Sequence, residues 1–307
     1  MSAAPLAAKD VLICPPDPPG LFNIQRFWAE DGTGQPVSLG PLMISSRAHY
    51  ALSRRPSRLP AVEAALDGDH IWAGMIYGHF GHFITETLPR LLSVRATLDA
   101  RPGARLLGFA PHGVTETRLG AMTWFLDRIG IDPARIDVIN APTRIADLTV
   151  PPPPFLGRYT YAPAVARLIN DAGLSAPTPS GERLFLSRGQ LETSRSRVTN
   201  IAEVEALFAE GGYTILHPET LDLPQQIARI TAAEVLAGEN GSALHWSLYS
   251  RSTRLVQSLG WSLALQRGIC TLRDQRYEVL RDPWTGWAQG RSQTVPARVV
   301  RRALLIL

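Results

Sequence analysis

The sequence predicts an α/β protein in two halves, each built on a parallel sheet, and three observations carry this. Short apolar runs bounded by Gly and Pro alternate with helix-length segments through both halves. In the second half the βα units succeed one another at a length that suits right-handed crossovers between parallel strands. Between the halves lies Ser175-Ala176-Pro177-Thr178-Pro179-Ser180-Gly181, the clearest linker in the chain. At 307 residues the chain is long enough for one or two substantial cores.

The first 70 residues are turn-rich, with strand-like runs at Val11–Cys14 and Leu42–Ile44. Arg47, Arg54, Arg55 and Arg58 cluster loosely there and read as a solvated surface, with an anion site as the lesser reading. Ile71–Tyr77 leads into a helix that begins near Gly78 and resumes as Leu91–Leu98. Arg105–Ala110 reads as a buried strand, Thr115–Ile129 as a helix closed by Gly130, and Ile136–Ile139 and Ile145–Val150 as strands. Tyr161–Leu174 reads as a bridging helix, which places the domain boundary between residues 151 and 181.

In the second half, Arg183–Leu186 is a strand followed by Ser187-Arg188. Asn200-Ile201-Ala202-Glu203 has the form of a capping box opening a helix that Gly211-Gly212 stops. Tyr213–Leu216, Glu234–Ala237 and Leu255–Gln257 are further strands, and Asp222 is the expected N-cap of the helix after the first of them. Trp261, Trp284 and Trp287 lie among Pro and Gly and are expected to serve packing. The expected domains are residues 1–160 and 161–270, with 271–307 a tail packing back on the core.

Composition narrows the function. A 45% hydrophobic and 19% charged chain is that of a folded globular protein. The net charge of +4 comes from dispersed arginines, so nucleic acid is not an expected partner. Lys9 is the only lysine, so anion contacts would be made by guanidinium forks. Cys14 and Cys270 show no metal-ligand spacing and no disulfide framework. No segment is long and apolar enough for a signal or a membrane span, which leads to a cytoplasmic expectation. The run Val299–Leu307 can touch an acidic membrane surface but is expected to pack on the core.

Two places carry chemistry. In Gly78–Arg90, a helix sets His79, His82 and Glu86 at i, i+3 and i+7 on one face. Imidazole and carboxylate together can move protons near neutral pH. Pro89 cannot continue that helix unkinked, and Arg90 follows at the bend. The bland alternative is a structural pairing of Glu86 with Arg90.

The second place is where ligands sit in parallel sheets, beyond the strands' carboxyl ends. Arg188, Arg195 and Arg197 follow one strand, and Gly238-Glu239-Asn240-Gly241-Ser242-Ala243 follows another. The glycines permit close backbone approach and the next helix start offers free N–H groups to a phosphate. Glu239 opposes phosphate if it points inward, so it is expected to face a sugar hydroxyl or solvent. The string is neither GxGxxG nor a Walker loop, which argues against a nicotinamide oxidoreductase.

Four blocks in order resemble glycosyltransferase family 61, the sugar transferases of capsular-polysaccharide type. They are His82-Phe83-Ile84-Thr85-Glu86-Thr87-Leu88-Pro89-Arg90; Leu186-Ser187-Arg188 with Arg197-Val198-Thr199-Asn200; His217-Pro218-Glu219 with Gln225-Gln226-Ile227; and Ala233–His245. Asn240 stands where many members carry histidine, and Ser242 departs from the same block. The resemblance implies a GT-B-like pair of Rossmann-like domains facing across a cleft. It implies inverting, metal-independent transfer from a nucleotide sugar, expected to be UDP-linked, to a glycan hydroxyl in polysaccharide biosynthesis. No metal or cofactor is expected, and no Asp-x-Asp pair is read that would hold a cation against a diphosphate. His82 or Glu86 is the expected base, with the other orienting it. Arg188, with Arg195 or Arg197, would offset leaving-group charge, while Gly238 to Ala243 would meet the donor and Glu219 its ribose. His79 and Arg90 are placed on the acceptor side. The alternative is a non-catalytic nucleotide-sugar-binding or scaffold subunit of a polysaccharide assembly complex.

Overall fold

The computed structural model describes residues 4–15, 27–40, 55–109, 122–191, 198–260, 263–281 and 293–306. The chain divides into two compact units, Met1–Leu168 and Ile169–Leu307. The expected strand at Leu42–Ile44, together with Arg47, Arg54, Arg195, Arg197, Trp261, Trp284 and Trp287, lies outside the described residues.

The first unit holds a six-stranded sheet of β1 (Leu6–Cys14), β2 (Trp28–Glu30), β3 (Ala64–Met75), β4 (Arg105–Phe109), β5 (Ile136–Ile139) and β6 (Thr143–Val150). Its order is β2-β1-β6-β3-β4-β5. The run β6-β3-β4-β5 is parallel, but β1 is antiparallel to β6 and β2 to β1. This corrects the expectation of a purely parallel sheet. Among the described residues strand and helix alternate only from β3 onward, and antiparallel pairing needs no crossover helix. A small hairpin, β7 (Phe155–Gly157) with β8 (Thr160–Tyr161), follows the sheet. The core is apolar residues of the sheet, among them Val11, Ile13, Trp72, Met75, Leu107, Phe109 and Leu148, joined by Tyr77 just beyond β3. The helices are α1 (Leu88–Asp99), α2 (Thr123–Arg128) and α3 (Ala164–Asp171). α1 is longer than the expected Leu91–Leu98, α3 is shorter than the expected Tyr161–Leu174, and the start of the helix expected at Thr115–Ile129 lies outside the described residues.

Two charged features of this unit bear on the sequence reading; Arg55 is half exposed, as a surface residue should be. Arg55 is no open anion contact: its Nε donates to Glu30 Oε2 at 2.8 Å, and the same oxygen accepts from Trp28 Nε1 at 2.8 Å. The chain also does contain an Asp-x-Asp string, Asp67-Gly68-Asp69. It lies at a bulge inside β3, with Gly68 at φ +87° and Asp69 paired to Arg101 at 3.2 Å. At ~3.3 Å per strand residue this is on the order of 20 Å before the carboxyl end of β3.

The second unit holds five strands, all parallel: β9 (Arg183–Leu186), β10 (Thr214–Leu216), β11 (Val235–Glu239), β12 (Leu255–Leu259) and β13 (Arg276–Leu280). Their order is β10-β9-β11-β12-β13. Counted within the unit this is 2-1-3-4-5, a doubly wound order that reverses between its first and third strands. The helices are α4 (Ile201–Glu210), α5 (Leu223–Ile230), α6 (Ala264–Arg273) and α7 (Ala297–Leu304). Asp222 caps α5 in a full capping box with Gln225. Asn200 does not cap α4 with its side chain. Its Oδ1 accepts from Val295 N at 2.8 Å and its Nδ2 donates to Val295 O at 3.0 Å, so it ties the start of α4 to the segment before α7. Val299, Val300 and Ala303 of α7 join Phe185, Val204 and Phe208 in the core, and Gln257 Nε2 donates to Ala303 O at 2.9 Å. Among the described residues no helix is long and apolar enough to cross a membrane.

Candidate active site

In the first unit the site grows from the carboxyl end of β3. The chain leaves Met75, passes Tyr77, and enters a helical turn at Phe80–His82 that widens to a π-helical turn over Phe83–Thr87 before α1. Pro89 accounts for the widening. In a regular helix its missing N–H would leave the Thr85 carbonyl without its bond, and its ring would crowd that oxygen. Here the turn opens, Leu88 N reaches Phe83 O, and Thr85 O accepts instead from the Tyr161 hydroxyl at 2.8 Å. Such widened turns concentrate at functional sites. Thr87 fastens the turn to the strand: its Oγ1 donates to Met75 O at 3.0 Å and accepts from Tyr77 N at 3.0 Å.

The turn brings His82 and Glu86 together, with Nδ1 of His82 2.7 Å from Glu86 Oε1. The imidazole is 30% exposed and the carboxylate 1%. A carboxylate accepts and does not donate, so Nδ1 carries the proton and Nε2 keeps the lone pair. The pair can therefore take a proton at Nε2. His79 is not on the helix face predicted for it; its backbone is extended, at φ −88° and ψ 123°. Its exposed ring still meets His82 edge-on, with centroids 5.5 Å apart. Tyr77 also stacks on the His82 ring: its centroid is 4.9 Å from that of His82, with planes 28° apart. Burial first, then the nearby Glu86 charge, push the Tyr77 hydroxyl well above the usual tyrosine range, with Arg90 opposing. Arg90 is only 3% exposed, lies 5.3 Å over the Phe155 ring, and presses on Gly74.

In the second unit the site grows at the strand-order reversal between β9 and β11, where doubly wound sheets hold ligands. Ser187 and Arg188 follow β9, and Asn240 and Gly241 follow β11. Arg188 Nη1 donates to Asn240 O in a long contact of 3.5 Å. A side chain at Gly241 would put a Cβ 3.0 Å from that same Nη1, so the glycine makes room for the guanidinium. Gly238 has another reason: it lies inside β11, where a Cβ would meet the Leu186 carbonyl oxygen at 2.6 Å. Glu239 is 4% exposed and does not face solvent. Ser242 and Ala243 open a 3₁₀-helical segment, Ser242–Tyr249, rather than an α-helix. Beside them, Ser187 Oγ donates to Glu205 Oε1 and accepts from Gly189 N at 2.9 Å. His217 lies between two acids, Nε2 3.8 Å from Glu205 and Nδ1 4.0 Å from Glu219.

Sequence reasoning thus missed Tyr77, Thr87 and Glu205 as contributors. Tyr77 lies just before the helical pattern, and Glu205 looks like any surface acid of a helix. Neither cysteine is a ready nucleophile: burial, chiefly, pushes each thiol up to about 11. Among the described residues no three His, Cys, Asp or Glu side chains gather as a metal-binding group.

No curated protein matches the chain. The family model Glycosyltransferase 61 matches residues 80–256, more than half of the 307-residue chain. The match begins on the turn that carries His82 and Glu86 and takes in Arg188, His217 and Gly241. The chain therefore belongs to glycosyltransferase family 61.

Proposed function

We propose that the protein is an inverting, metal-independent glycosyltransferase that moves a sugar from a nucleotide sugar to a glycan hydroxyl in polysaccharide biosynthesis. Family membership implies sugar transfer. The observation that carries the mechanism is the His82–Glu86 pair, 2.7 Å apart with only the imidazole accessible. His82 is the base and Glu86 its orienting partner, because a carboxylate 1% exposed does not reach a substrate. The acceptor hydroxyl gives its proton to Nε2 as its oxygen attacks the anomeric carbon. The bond to the diphosphate oxygen breaks on the opposite face, that oxygen keeps the electron pair, and the configuration inverts. Arg188 offsets the charge that develops on the leaving diphosphate. Backbone N–H groups at Gly241, Ser242 and Ala243 meet the phosphates, Glu219 the ribose, and the donor is UDP-linked. Support for the donor side is the placement of Arg188 and Gly241 at the strand-order reversal.

Replacing His82 by Ala removes the proton acceptor, and a general base is worth roughly 10²- to 10⁴-fold in rate. Glu86→Gln keeps the shape but loses the charge behind Nδ1, and a smaller loss, roughly 10- to 100-fold, is expected by analogy with altered orienting partners. Steady-state transfer rates, with circular dichroism as the folding control, check this. Wild-type rates in both variants would sink the assignment, and donor binding without any turnover would favour a scaffold role.

A further inference from the structure

We propose that Tyr77 is a positioning residue for His82, its ring fixing the plane in which the imidazole lies. The inference rests on the reading of His82 as the base and adds what holds that base in line. The hydrogen bond from Nδ1 to Glu86 fixes one atom of the ring. It selects which edge faces the carboxylate, but a bond at one atom leaves the ring able to tilt, since the outer torsion of histidine is broad. The Tyr77 ring removes that freedom. Its centroid lies 4.9 Å from the imidazole centroid and the planes are 28° apart, a stacked contact over the face of the ring. Tyr77 itself cannot move: it is 1% exposed, and its backbone N–H is held by Thr87 Oγ1 at 3.0 Å. The two constraints are perpendicular, one in the ring plane and one across it. Together they aim the Nε2 lone pair in one direction.

The ring and not the hydroxyl does this. The hydroxyl oxygen is buried and has no hydrogen-bond partner among the described residues. An aromatic face also attracts the imidazolium that forms when the base takes its proton, so the contact strengthens in the direction of the reaction.

The test compares Tyr77→Phe, Tyr77→Leu and Tyr77→Met with His82→Ala in the full-length protein. The readouts are kcat and KM for both substrates, and NMR relaxation of the His82 ring, which reports ring motion without turnover. Tyr77→Phe is expected to keep wild-type kcat and a rigid imidazole, and to raise Tm by removing the unpartnered hydroxyl. Tyr77→Leu and Tyr77→Met are expected to lose roughly ten-fold or more in kcat at little-changed KM, because misorientation at the reacting atom costs rate rather than binding. They are also expected to show a mobile imidazole that keeps its Nδ1–H form, since the bond to Glu86 sets the tautomer. Methionine fills the site without a flat face, so it decides the matter if the leucine variant does not fold. The proposal is overturned if the non-aromatic variants keep kcat and a rigid imidazole while His82→Ala is inactive; the base then stands without Tyr77. It is overturned also if Tyr77→Phe loses as much as the methionine variant, since the hydroxyl would then be the working group. If His82→Ala keeps the wild-type rate, the base assignment fails, and unchanged ring motion in Tyr77→Met overturns the positioning role separately.

Discussion

Gly74 and Arg90 occupy adjoining space, and neither residue type is explained without the other. Gly74 has φ +75°, and a Cβ there would lie 2.4 Å from Arg90 Nε and 2.6 Å from its Cδ. The pleat of β3 breaks at this point, since its register against β4 shifts between Trp72 and Gly74. Gly74→Ala therefore meets two costs. The left-handed backbone costs a non-glycine residue roughly 1–2 kcal/mol, and the buried overlap with a held guanidinium costs roughly 1–3 kcal/mol more. A loss of about 2–5 kcal/mol in urea unfolding is expected, and a variant within about 0.5 kcal/mol of wild type would contradict the close approach. The family resemblance placed Arg90 on the acceptor side. Its burial over Phe155 depends on a glycine far upstream that vacates the space, and no spacing rule connects the two. His82 and Glu86, by contrast, were legible because an i, i+4 contact is local geometry.

At the level of elements, the widened turn is the part that pattern alone conceals. Residues 78–90 read as helix, and most of them are helical. Pro89 signalled a disturbance, but its form depended on Tyr161 supplying the bond that Thr85 O loses, a contact between distant segments. Thr87 joins the same turn to β3 through both lone pair and proton. Thr87→Val keeps the volume and removes both bonds, leaving a buried N–H at Tyr77 and a buried carbonyl at Met75. Each unsatisfied buried group costs roughly 1–3 kcal/mol, so a loss of about 2–6 kcal/mol is expected. The transfer rate should fall with it, because Tyr77 loses its anchor. Thermal unfolding and initial rates on one preparation check this; retention of both would mean the hydroxyl bonds are dispensable to the turn. Helix starts show the same division between local and distant. The N-cap at Asp222 was readable from local sequence, whereas the capping box expected at Asn200 fails because its side chain is spent on Val295, which sequence separation hides.

For the molecule as a whole, alternation of strand and helix announced α/β structure in both units, but strand order did not follow from it. The order 2-1-3-4-5 in the second unit is set by the side on which each crossover returns, which no local pattern encodes. That order is what turns two unremarkable loops into a candidate donor site, since Arg188 and Gly241 follow the two strands that flank the reversal. A ligand that binds only the folded protein stabilises it by RT ln(1 + [L]/Kd), about 2.7 kcal/mol at one hundred times Kd. A panel of nucleoside diphosphates and nucleotide sugars should therefore contain members that raise Tm, with UDP-linked sugars among them, and the rise should survive EDTA. Arg188→Ala removes a charge-assisted hydrogen bond to the diphosphate, worth roughly 1.5–3 kcal/mol, so the same ligand should bind about 10- to 100-fold more weakly. Its Tm rise at fixed concentration should shrink to match. A rise that disappears with EDTA would replace arginine by a cation as the partner of the diphosphate. A rise that Arg188→Ala leaves unchanged would move the donor away from the β9–β11 reversal. Because the binding readout needs no turnover, it tests the proposed donor site of the second unit separately from the proton chemistry proposed for the first.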